Sequence, residues 1–524
     1  MPLARGACYG QRALPDDQQQ GTGAGRGVLY IAFAKFYFMI AGMVVQFRLP
    51  VILPTAVFGA YSLVNSIASW FNNVAVTGTI QAVSKFAAEE PGKARAVQHA
   101  GLRMHLRLGL PIALVFIAAA PLVARFILDD PSKTMPLMLA GLIIGGYSFY
   151  ATFIGTANGL RQFNKQAGLD ISFATLRTAG LLGMAIAGFG VVGVIGGWVA
   201  AVGGILILSV AWIGLPRTRE RLSVRPMFGY FTAVAVYLVL FNGVMFADSI
   251  LVKRLMSQYY QTHAAAGSAS TLADVQVAYY AAVQNLGRVS YQLIIAATFV
   301  VFPLVSRSTF TDDRETTRRY IQVTTRYSLM FAMVIGVIMA SRPVDALALL
   351  YKPDYAAAGG PALVALGFGN VAFSMFAIAG TILNSARLTR AAIVSAGITL
   401  AAAVIGNYIA IPLAAGSGHV LEVAASVTGG AMLLGAVVSG WQLHRHLGAS
   451  LPLASLARIA IATAVAYAVG HWFPLHGKLM TLVAAVAIGV TFLIVLVATR
   501  ELGKRDLEAI KQVRRNRAPG GDVP

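Results

Sequence analysis

The chain consists of long apolar runs separated by short polar loops, and this pattern limits its fold more than any other feature. A transmembrane helix needs ~20 apolar residues, and a helix satisfies its backbone hydrogen bonds internally, as lipid requires. The sequence therefore predicts an all-α polytopic membrane protein. About fourteen such runs are present, at 28–48, 57–80, 107–128, 135–157, 169–189, 191–213, 228–251, 277–303, 324–341, 360–383, 391–412, 420–441, 455–473 and 478–499.

The positive charges support this count of helices. The net charge is +21, but only 12% of the residues are charged, against about a quarter in soluble domains. Of the 41 Lys and Arg residues, 30 fall in segments on one side of the predicted membrane, 8 on the other, and 3 within spans. Short cytoplasmic loops carry such an excess. The charge therefore indicates membrane topology, with both termini cytoplasmic, and not nucleic-acid binding.

The terminal segments and the motif content exclude several functions. Residues 1–26 are predicted to be a disordered cytoplasmic tail, and residues 500–524 a basic cytoplasmic tail. The single cysteine, Cys8, allows neither a disulfide framework nor a cysteine metal site. The sequence has no phosphate-binding loop and no HExxH motif. We therefore expect a transporter and not an enzyme, with no cofactor and no bound metal.

Two pairs of segments indicate an internal repeat. The segment FGAYSLVNSIAS (58–69) aligns with VAYYAAVQNLGR (277–288), and GTANGLR (155–161) resembles GTILNSAR (380–387). A repeat of six helices gives two halves with the same orientation in the membrane. We expect two parallel six-helix lobes around a central cleft, plus two extra C-terminal helices. The predicted bounds are 27–226 for the N-terminal lobe, 227–446 for the C-terminal lobe and 447–499 for helices 13 and 14.

The repeated segment carries a polar stripe that is unusual for lipid. On one helical face lie Ser62 and Ser66 together with four candidate substrate-binding residues, Asn65, Ser69, Asn72 and Asn73. The second half offers Gln284, Tyr291 and Gln292 at corresponding positions. A polar face in a spanning helix turns toward protein or toward a water-filled cavity. The stripe is therefore either hydrogen-bonding glue between helices or one wall of a transport path.

Three basic residues lie within predicted spans: Arg288, Arg177 and Lys35. Placing a cation there costs at least ~2.5–3.5 kcal/mol unless it faces a cavity or a partner. Arg288 is the leading candidate for binding an anion because it shares a face with the second polar stripe, and a guanidinium can grip phosphate with two hydrogen bonds. The alternative for each residue is an interhelical ion pair or, for Lys35, a side chain that reaches the inner surface.

Asp248 is the clearest acid deep within a predicted span, and Asn242 lies one to two turns before it. The pair is a candidate site for a coupling proton or sodium ion. The alternative is a structural ion pair between Asp248 and Lys253, Arg288 or Arg177. Asp170 lies near a span end, where we expect it to be solvated.

Two blocks resemble a known family. LPTAVFGAYSLVNSIASWFNNVAVTGTIQAVSKFAAEE resembles the second-helix region of prokaryotic polysaccharide flippases, which belong to the multidrug/oligosaccharidyl-lipid/polysaccharide exporter superfamily. ALLYKPDYAAAGGPALVALGFGNVAFSMFAIAGTILNSARLTRAA resembles the ninth-to-tenth helix region of that family, although Lys352 stands where the pattern more often has glycine. The resemblance covers roughly residues 28–441.

The resemblance implies a bacterial inner-membrane flippase with fourteen helices. Its expected substrate is an undecaprenyl-pyrophosphate-linked oligosaccharide, moved from the cytoplasmic to the periplasmic leaflet for O-antigen, capsule or exopolysaccharide synthesis. Expected partners are this lipid-linked substrate, membrane lipid and the polysaccharide polymerase machinery. The alternatives are a multidrug antiporter of the same superfamily, a membrane polysaccharide polymerase or ligase, and an assembly scaffold without transport activity.

Overall fold

The computed structural model of the chain describes residues 17–265, 267–294, 314–449, 451–474 and 477–503. Every extended regular element in these ranges is helical, so the predicted all-α class is confirmed. Twelve helical segments within these ranges are long and apolar enough to cross a membrane. The fold is that of a polytopic membrane protein, and the twelve spans among the described residues are close to the expected number of about fourteen.

The first lobe contains seven helices. They are α1 (Asp17–Ile52), α2 (Thr55–Glu89), α3 (Ala94–Met104), α4 (Leu110–Leu122), α5 (Thr134–Gly159), α6 (Phe163–Ile186) and α7 (Gly190–Ile213). Helices α3 and α4 are joined by one π-helical turn, so the two together form a single span. Within the lobe α2 packs on α5, α1 packs on α6, and α6 packs on α7.

The second lobe has the same order of packing. Its helices are α8 (Arg225–His263), α9 (Ala269–Gly287), α10 (Arg314–Ser341), α11 (Pro343–Leu350), α12 (Pro353–Ser385), α13 (Thr389–Ala414) and α14 (Val420–Leu447). Helix α9 packs on α12, α8 packs on α13, and α13 packs on α14. Helix α2 contacts both α8 and α9, so it forms the main seam between the lobes.

Two further helices, α15 (Leu453–His471) and α16 (Lys478–Ala498), pack on each other and on α10. Glu501, just beyond α16, accepts a hydrogen bond from Arg326 Nε of α10 at 2.7 Å and another from Arg458 Nη1 of α15 at 3.1 Å. Burial opposes the charge of Glu501, but hydrogen bonds from Ser455 and the two arginines outweigh it and lower its pKa. This ionic contact fixes the extra helices to the second lobe.

The internal repeat is visible in the backbone. Helices α5 and α12 end in the same turn, in which Arg161 (φ +54°) and Arg387 (φ +61°) adopt the left-handed conformation. The backbone N–H of Arg161 donates to the carbonyl of Asn158, and that of Arg387 donates to the carbonyl of Asn384. A non-glycine residue with φ > 0 is uncommon. Its presence at both aligned positions supports duplication of the six-helix unit.

The predicted span boundaries need two corrections. Helix α8 runs to His263, twelve residues beyond the predicted span. The polar sequence after residue 251, which hydropathy placed in a loop, is part of the helix. Lys253 and Arg254 therefore lie in a helix, and only residues 264–268 connect α8 to α9. Helix α2 is 35 residues long, but its polar stripe leaves it outside the twelve apolar segments. The predicted span 277–303 lies partly outside the described residues.

Because helices alternate in direction, the connections 128–133 and 264–268 lie at the same end of the bundle. The bias of Lys and Arg assigns this end to the outside of the membrane. We call it the predicted outer face, since the orientation rests on the charge distribution.

Candidate functional site

A cavity of about 70 Å³ lies between the lobes, bounded by α1, α2 and α6 of the first lobe and by the end of α9 of the second. Two arginines, one from each lobe, are part of its wall. The lining residues are Gly42, Val45, Gln46, Phe58, Tyr61, Ser62, Asn65, Ser66, Arg177, Ala281, Gln284, Asn285 and Arg288. The cavity is therefore mainly polar, although it lies within segments predicted to span the membrane.

Arg177 projects from α6 into this cavity. Its guanidinium lies over the indole ring of Trp198 of α7, with 4.5 Å between the guanidinium carbon and the ring centroid. The Nε atom is buried and has no hydrogen-bond partner. Within the described part of the chain, no carboxylate lies within 4.0 Å of it. The stacking orients the cation but leaves its charge unbalanced.

Arg288 follows the last residue of α9 and reaches the cavity from the second lobe. It donates a hydrogen bond to the carbonyl of Met245 and lies 5.0 Å from the ring centroid of Phe246. It also has no carboxylate within 4.0 Å among the described residues. Two guanidinium groups, neither with a carboxylate within 4.0 Å among the described residues, thus face one polar cavity. This arrangement attracts an anion that can accept hydrogen bonds from both lobes.

Asp248 is buried in α8 next to this cavity, and its carboxylate accepts four hydrogen bonds. The donors are Tyr280 Oη at 2.8 Å, Gln284 Nε2 at 2.8 and 2.9 Å to the two oxygens, and the backbone N–H of Ser249 at 2.8 Å. A carboxylate has about four lone-pair sites. Its acceptor capacity is therefore used, which disfavours a metal ion at these oxygens.

The alternative of a structural ion pair for Asp248 is not seen as a direct contact, although Arg288 lies within electrostatic range of the carboxylate. Lys253, Arg288 and Arg177 all lie farther than 4.0 Å from it within the described residues. The carboxylate is instead held by neutral donors, of which Gln284 also lines the cavity. Gln284 Oε1 accepts from Ser249 Oγ at 2.9 Å, so both ends of its amide are used. Gln284 therefore connects Asp248 to the cavity wall.

Asn242 does not share a site with Asp248. Its Oδ1 accepts from Asn73 Nδ2 at 2.9 Å, and its own amide donates to the carbonyl of Leu238. Nearby, Trp70 Nε1 donates to the carbonyl of Val239 at 2.9 Å. These bonds join α2 to α8. This part of the polar stripe thus acts as hydrogen-bonding glue between the lobes.

The stripe on α2 is divided between two environments. Asn65 lines the cavity, and its Oδ1 is buried without a partner. Asn72 is buried with an unpartnered Oδ1, and Ser69 is half-buried; neither lines the cavity. The predicted path wall therefore corresponds to the half of the stripe nearer the predicted outer face.

Lys35 lies outside the cavity lining. Its Nζ forms an ion pair with Asp170 Oδ2 at 2.7 Å, and the Asp170 side chain is only 8% exposed, so the expectation that Asp170 is solvated is wrong. Tyr291 packs against Phe373 of α12 at 5.0 Å between ring centroids. Gln292 is half-buried and does not line the cavity. The structure thus brings Arg177, Arg288, Asn65 and Gln284 together, and places the other candidates elsewhere.

Five polar lining residues were not among the predicted site residues: Gln46, Tyr61, Ser62, Ser66 and Asn285. Gln46 is the only amide in the apolar run of α1, and its buried Oε1 has no partner. An isolated amide in a spanning segment is a usable signal. Tyr61 and Asn285 belong to the repeated segments, and the alignment alone does not separate them from core residues.

Together, the two like-oriented lobes and the polar cavity between them define a polytopic membrane protein with a transporter fold. Residues 24–309 match the polysaccharide biosynthesis protein family, and this match covers more than half of the chain. The chain belongs to this family. No curated protein matches it.

The fold is shared with several solved transporters. The lipid II flippase MurJ in an inward closed conformation is similar with a TM-score of 0.68 at 12% identity, over 90% of this chain and 99% of that chain. A point mutant of the MATE transporter VcmN of Vibrio cholerae is similar with a TM-score of 0.55 at 14% identity, over 82% and 99%. An outward-facing multidrug resistance MATE transporter of the MOP superfamily is similar with a TM-score of 0.59 at 12% identity, over 81% of this chain and 97% of that chain.

Proposed function

We propose that the protein is a flippase for an undecaprenyl-pyrophosphate-linked oligosaccharide in cell-surface polysaccharide synthesis. The observation that carries this proposal is the pair Arg177 and Arg288, one from each lobe, in one polar cavity, with no carboxylate within 4.0 Å of either among the described residues. A pyrophosphate in this cavity would join the two lobes electrostatically. Family membership and the shared fold with a lipid II flippase support the same substrate class.

The transport cycle follows from this placement. The cavity opens in turn toward each leaflet as the lobes move against each other, while the prenyl chain stays in lipid. The bacterial inner membrane is the proposed location, with both termini in the cytoplasm and substrate moving toward the periplasmic leaflet. The polymerase that extends the polysaccharide is the proposed downstream partner.

The proposal is tested by measuring flipping of a defined pyrophosphate-linked oligosaccharide in vesicles that contain the protein. We expect Arg177→Gln and Arg288→Gln each to lower the rate at least tenfold, and Arg288→Lys to recover part of it. Arg107→Gln is the matched control because Arg107 is an exposed arginine outside the cavity. Wild-type rates in both cavity variants, with all proteins equally folded, would refute the proposed substrate site.

A cation-exporting multidrug antiporter is the second candidate, since MATE transporters share the fold. The cavity argues against it, because its wall holds two arginines and no carboxylate. A desolvated site with this charge repels cations. Uptake of a fluorescent organic cation by the same vesicles distinguishes the two functions, and we expect none.

We further propose that Asp248 exchanges a proton and not a metal cation if transport is ion-coupled. Its oxygens already accept hydrogen bonds from Tyr280, Gln284 and Ser249, so sodium would have to displace several of these donors, whereas a proton needs only the Tyr280 hydroxyl to reverse its hydrogen bond and accept. We expect an imposed sodium gradient to leave flipping unchanged, whereas a pH gradient changes it. Asp248→Asn should remove the pH-gradient effect. Sodium-driven flipping would contradict this assignment.

A further inference from the structure

Four charged side chains meet between the lobes at the predicted outer face. Asp130 and Lys133 belong to the connection before α5 in the first lobe, and Lys253 and Asp274 belong to α8 and α9 in the second. We call these four residues the outer cluster. All are buried, and Lys253 is 0% exposed. None of them lines the cavity described above.

Each lysine of the outer cluster contacts both carboxylates. Lys133 Nζ lies 2.8 Å from Asp130 Oδ2 and 2.7 Å from Asp274 Oδ2. Lys253 Nζ lies 3.0 Å from Asp130 Oδ2 and 2.8 Å from Asp274 Oδ1. Two of these ion pairs are within a lobe and two are between lobes. The closed arrangement is therefore neutral and fully paired.

Two serines complete the hydrogen bonding of the cluster. Ser132 Oγ donates to Asp130 Oδ1 at 2.6 Å, and Ser270 Oγ donates to Asp130 Oδ2. Lys253 Nζ also donates to the carbonyl of Ser270 at 3.0 Å. A buried ion pair is stable only when such additional hydrogen bonds satisfy its remaining groups. The geometry meets that condition on both sides of the seam.

The pairing within each lobe has a mechanical consequence. If the lobes separate, Asp130 retains Lys133 and Asp274 retains Lys253, so each lobe keeps a neutral pair. A single bridge between lobes would instead expose one isolated charge on each side. When the outer cluster opens, it thus loses only its two ion pairs between the lobes, and water replaces these contacts.

The backbones also approach closely at this depth. Gly59 of α2 lies against the carbonyl of Asp274, and a Cβ added at position 59 would overlap that oxygen. Only glycine allows α2 and α9 to come this close. The seam is therefore closed both by charge complementarity and by the shape of the backbone.

We propose that the outer cluster is a reversible latch that keeps the predicted outer side closed while the cavity is loaded. The inference rests on the proposed alternating access, but it does not depend on the identity of the substrate. It assigns a role in the transport cycle to Asp130, Lys133, Lys253 and Asp274. The cavity and the latch are separate groups of residues, so each can be changed alone.

The latch predicts a rescue by charge swapping. Asp130→Lys with Lys133→Asp keeps the first lobe neutral but places like charges across the seam. Adding Lys253→Asp with Asp274→Lys restores opposite charges at all four contacts. We expect the first pair of substitutions to open the predicted outer side and the complete set of four to close it again.

Cysteine labelling measures this opening. In a Cys8→Ser background, which removes the single native cysteine, Asn65→Cys places a reporter in the cavity wall. A membrane-impermeant thiol reagent is then applied separately to right-side-out and inside-out vesicles without substrate. We expect Asp130→Lys with Lys133→Asp, the single-lobe swap, to raise labelling from the predicted outer side about tenfold. The four-residue swap should return this labelling to within about twofold of the starting rate.

Gly59→Leu tests closure without changing any charge. We expect it to raise labelling from the same side, whereas Gly203→Leu, at an exposed position with open space around its Cβ, should not. Unchanged labelling from both sides in the single-lobe swap overturns the latch, and so does failure of the four-residue swap to reverse it. Because no substrate is present, these results stand apart from the flipping assay, whose failure would refute only the proposed substrate site.

Discussion

The cavity and the outer cluster both place basic side chains at the boundary between the lobes, but the charges are compensated in one and not in the other. In the outer cluster each lysine has two carboxylates within 3.0 Å. In the cavity neither arginine has one within 4.0 Å among the described residues. Paired cations hold the lobes together, whereas unpaired cations leave charge for a ligand. A position between the lobes therefore does not by itself identify a binding residue; the absence of a carboxylate in direct contact does.

The largest expected effect comes from breaking the paired site. Lys253→Met leaves Asp130 and Asp274 to share Lys133 in a buried setting, and removing one partner of a buried ion pair costs ~3–5 kcal/mol. Thermal unfolding in detergent should show a correspondingly lower midpoint. Lys478→Met, at an exposed lysine, should change stability by less than ~0.5 kcal/mol. Equal midpoints for the two variants would mean that the cluster does not stabilise the closed form.

Replacing a cavity arginine should have the opposite effect: stability should change little, but transport should fall strongly. Arg288→Met removes a half-buried charge that has no carboxylate within 4.0 Å among the described residues, so we expect stability to change by less than ~1 kcal/mol or to rise. Flipping should nevertheless fall at least tenfold. Paired thermal and transport measurements on one preparation test this. A loss of stability as large as that of Lys253→Met would show that Arg288 is structural.

Binding of a small anion should sharpen the contrast further. Inorganic pyrophosphate at 100 times its Kd should stabilise the wild-type protein by ~2.7 kcal/mol if it binds only the folded state. The shift should disappear in Arg177→Gln with Arg288→Gln, but remain in Lys133→Met. Stabilisation that is equal in both variants would place the anion outside the cavity.

The smallest expected effect concerns pH. Burial opposes the charge of Asp130, but hydrogen bonds from Lys133, Ser132 and Ser270 and the charge of Lys253 outweigh it and lower its pKa. A lowered pKa contributes stability at pH values above the ordinary carboxyl range, and this stability is lost only as pH falls through the lowered value. The groups that face Asp130 are Lys133 and Lys253, with Asp274 across the cluster. Cavity labelling should therefore change less than twofold between pH 8 and pH 5, and a steep rise in that window would contradict an ionised latch.

Sequence patterns predicted the helical class, the repeat and both cavity arginines. Apolar runs identify spans directly, and a cation inside such a run is conspicuous, which is why Arg177 and Arg288 could be named in advance. Their convergence on one cavity depends on tertiary packing between lobes. Lys35 carried the same sequence signal, yet it has a partner in Asp170, 135 residues away in the chain. Sequence position cannot distinguish a paired cation from an unpaired one.

The outer cluster was missed for a different reason. Lys253 and Asp274 follow and precede apolar runs, so they looked like residues of an exposed loop. Helix α8 continues through this polar stretch, where Lys253 and Gln261 donate hydrogen bonds to Asp130 and Asp129 of the first lobe. Hydropathy alone placed Lys253 and Asp274 in a solvent-exposed loop, whereas tertiary contacts bury them in the outer cluster, where each forms two ion pairs.

The polar face of α2 also constrains how the protein is made. Asn73 and Trp70 bond to partners on α8 that lie 169 residues later in the chain. At ~5–20 residues per second, these partners leave the ribosome about 10–30 s after α2 does. During that interval α2 is a weakly apolar segment whose amides lack their final acceptors. Its stable insertion is thus tied to the arrival of the second lobe, which makes the two halves of the repeat dependent on each other during biogenesis.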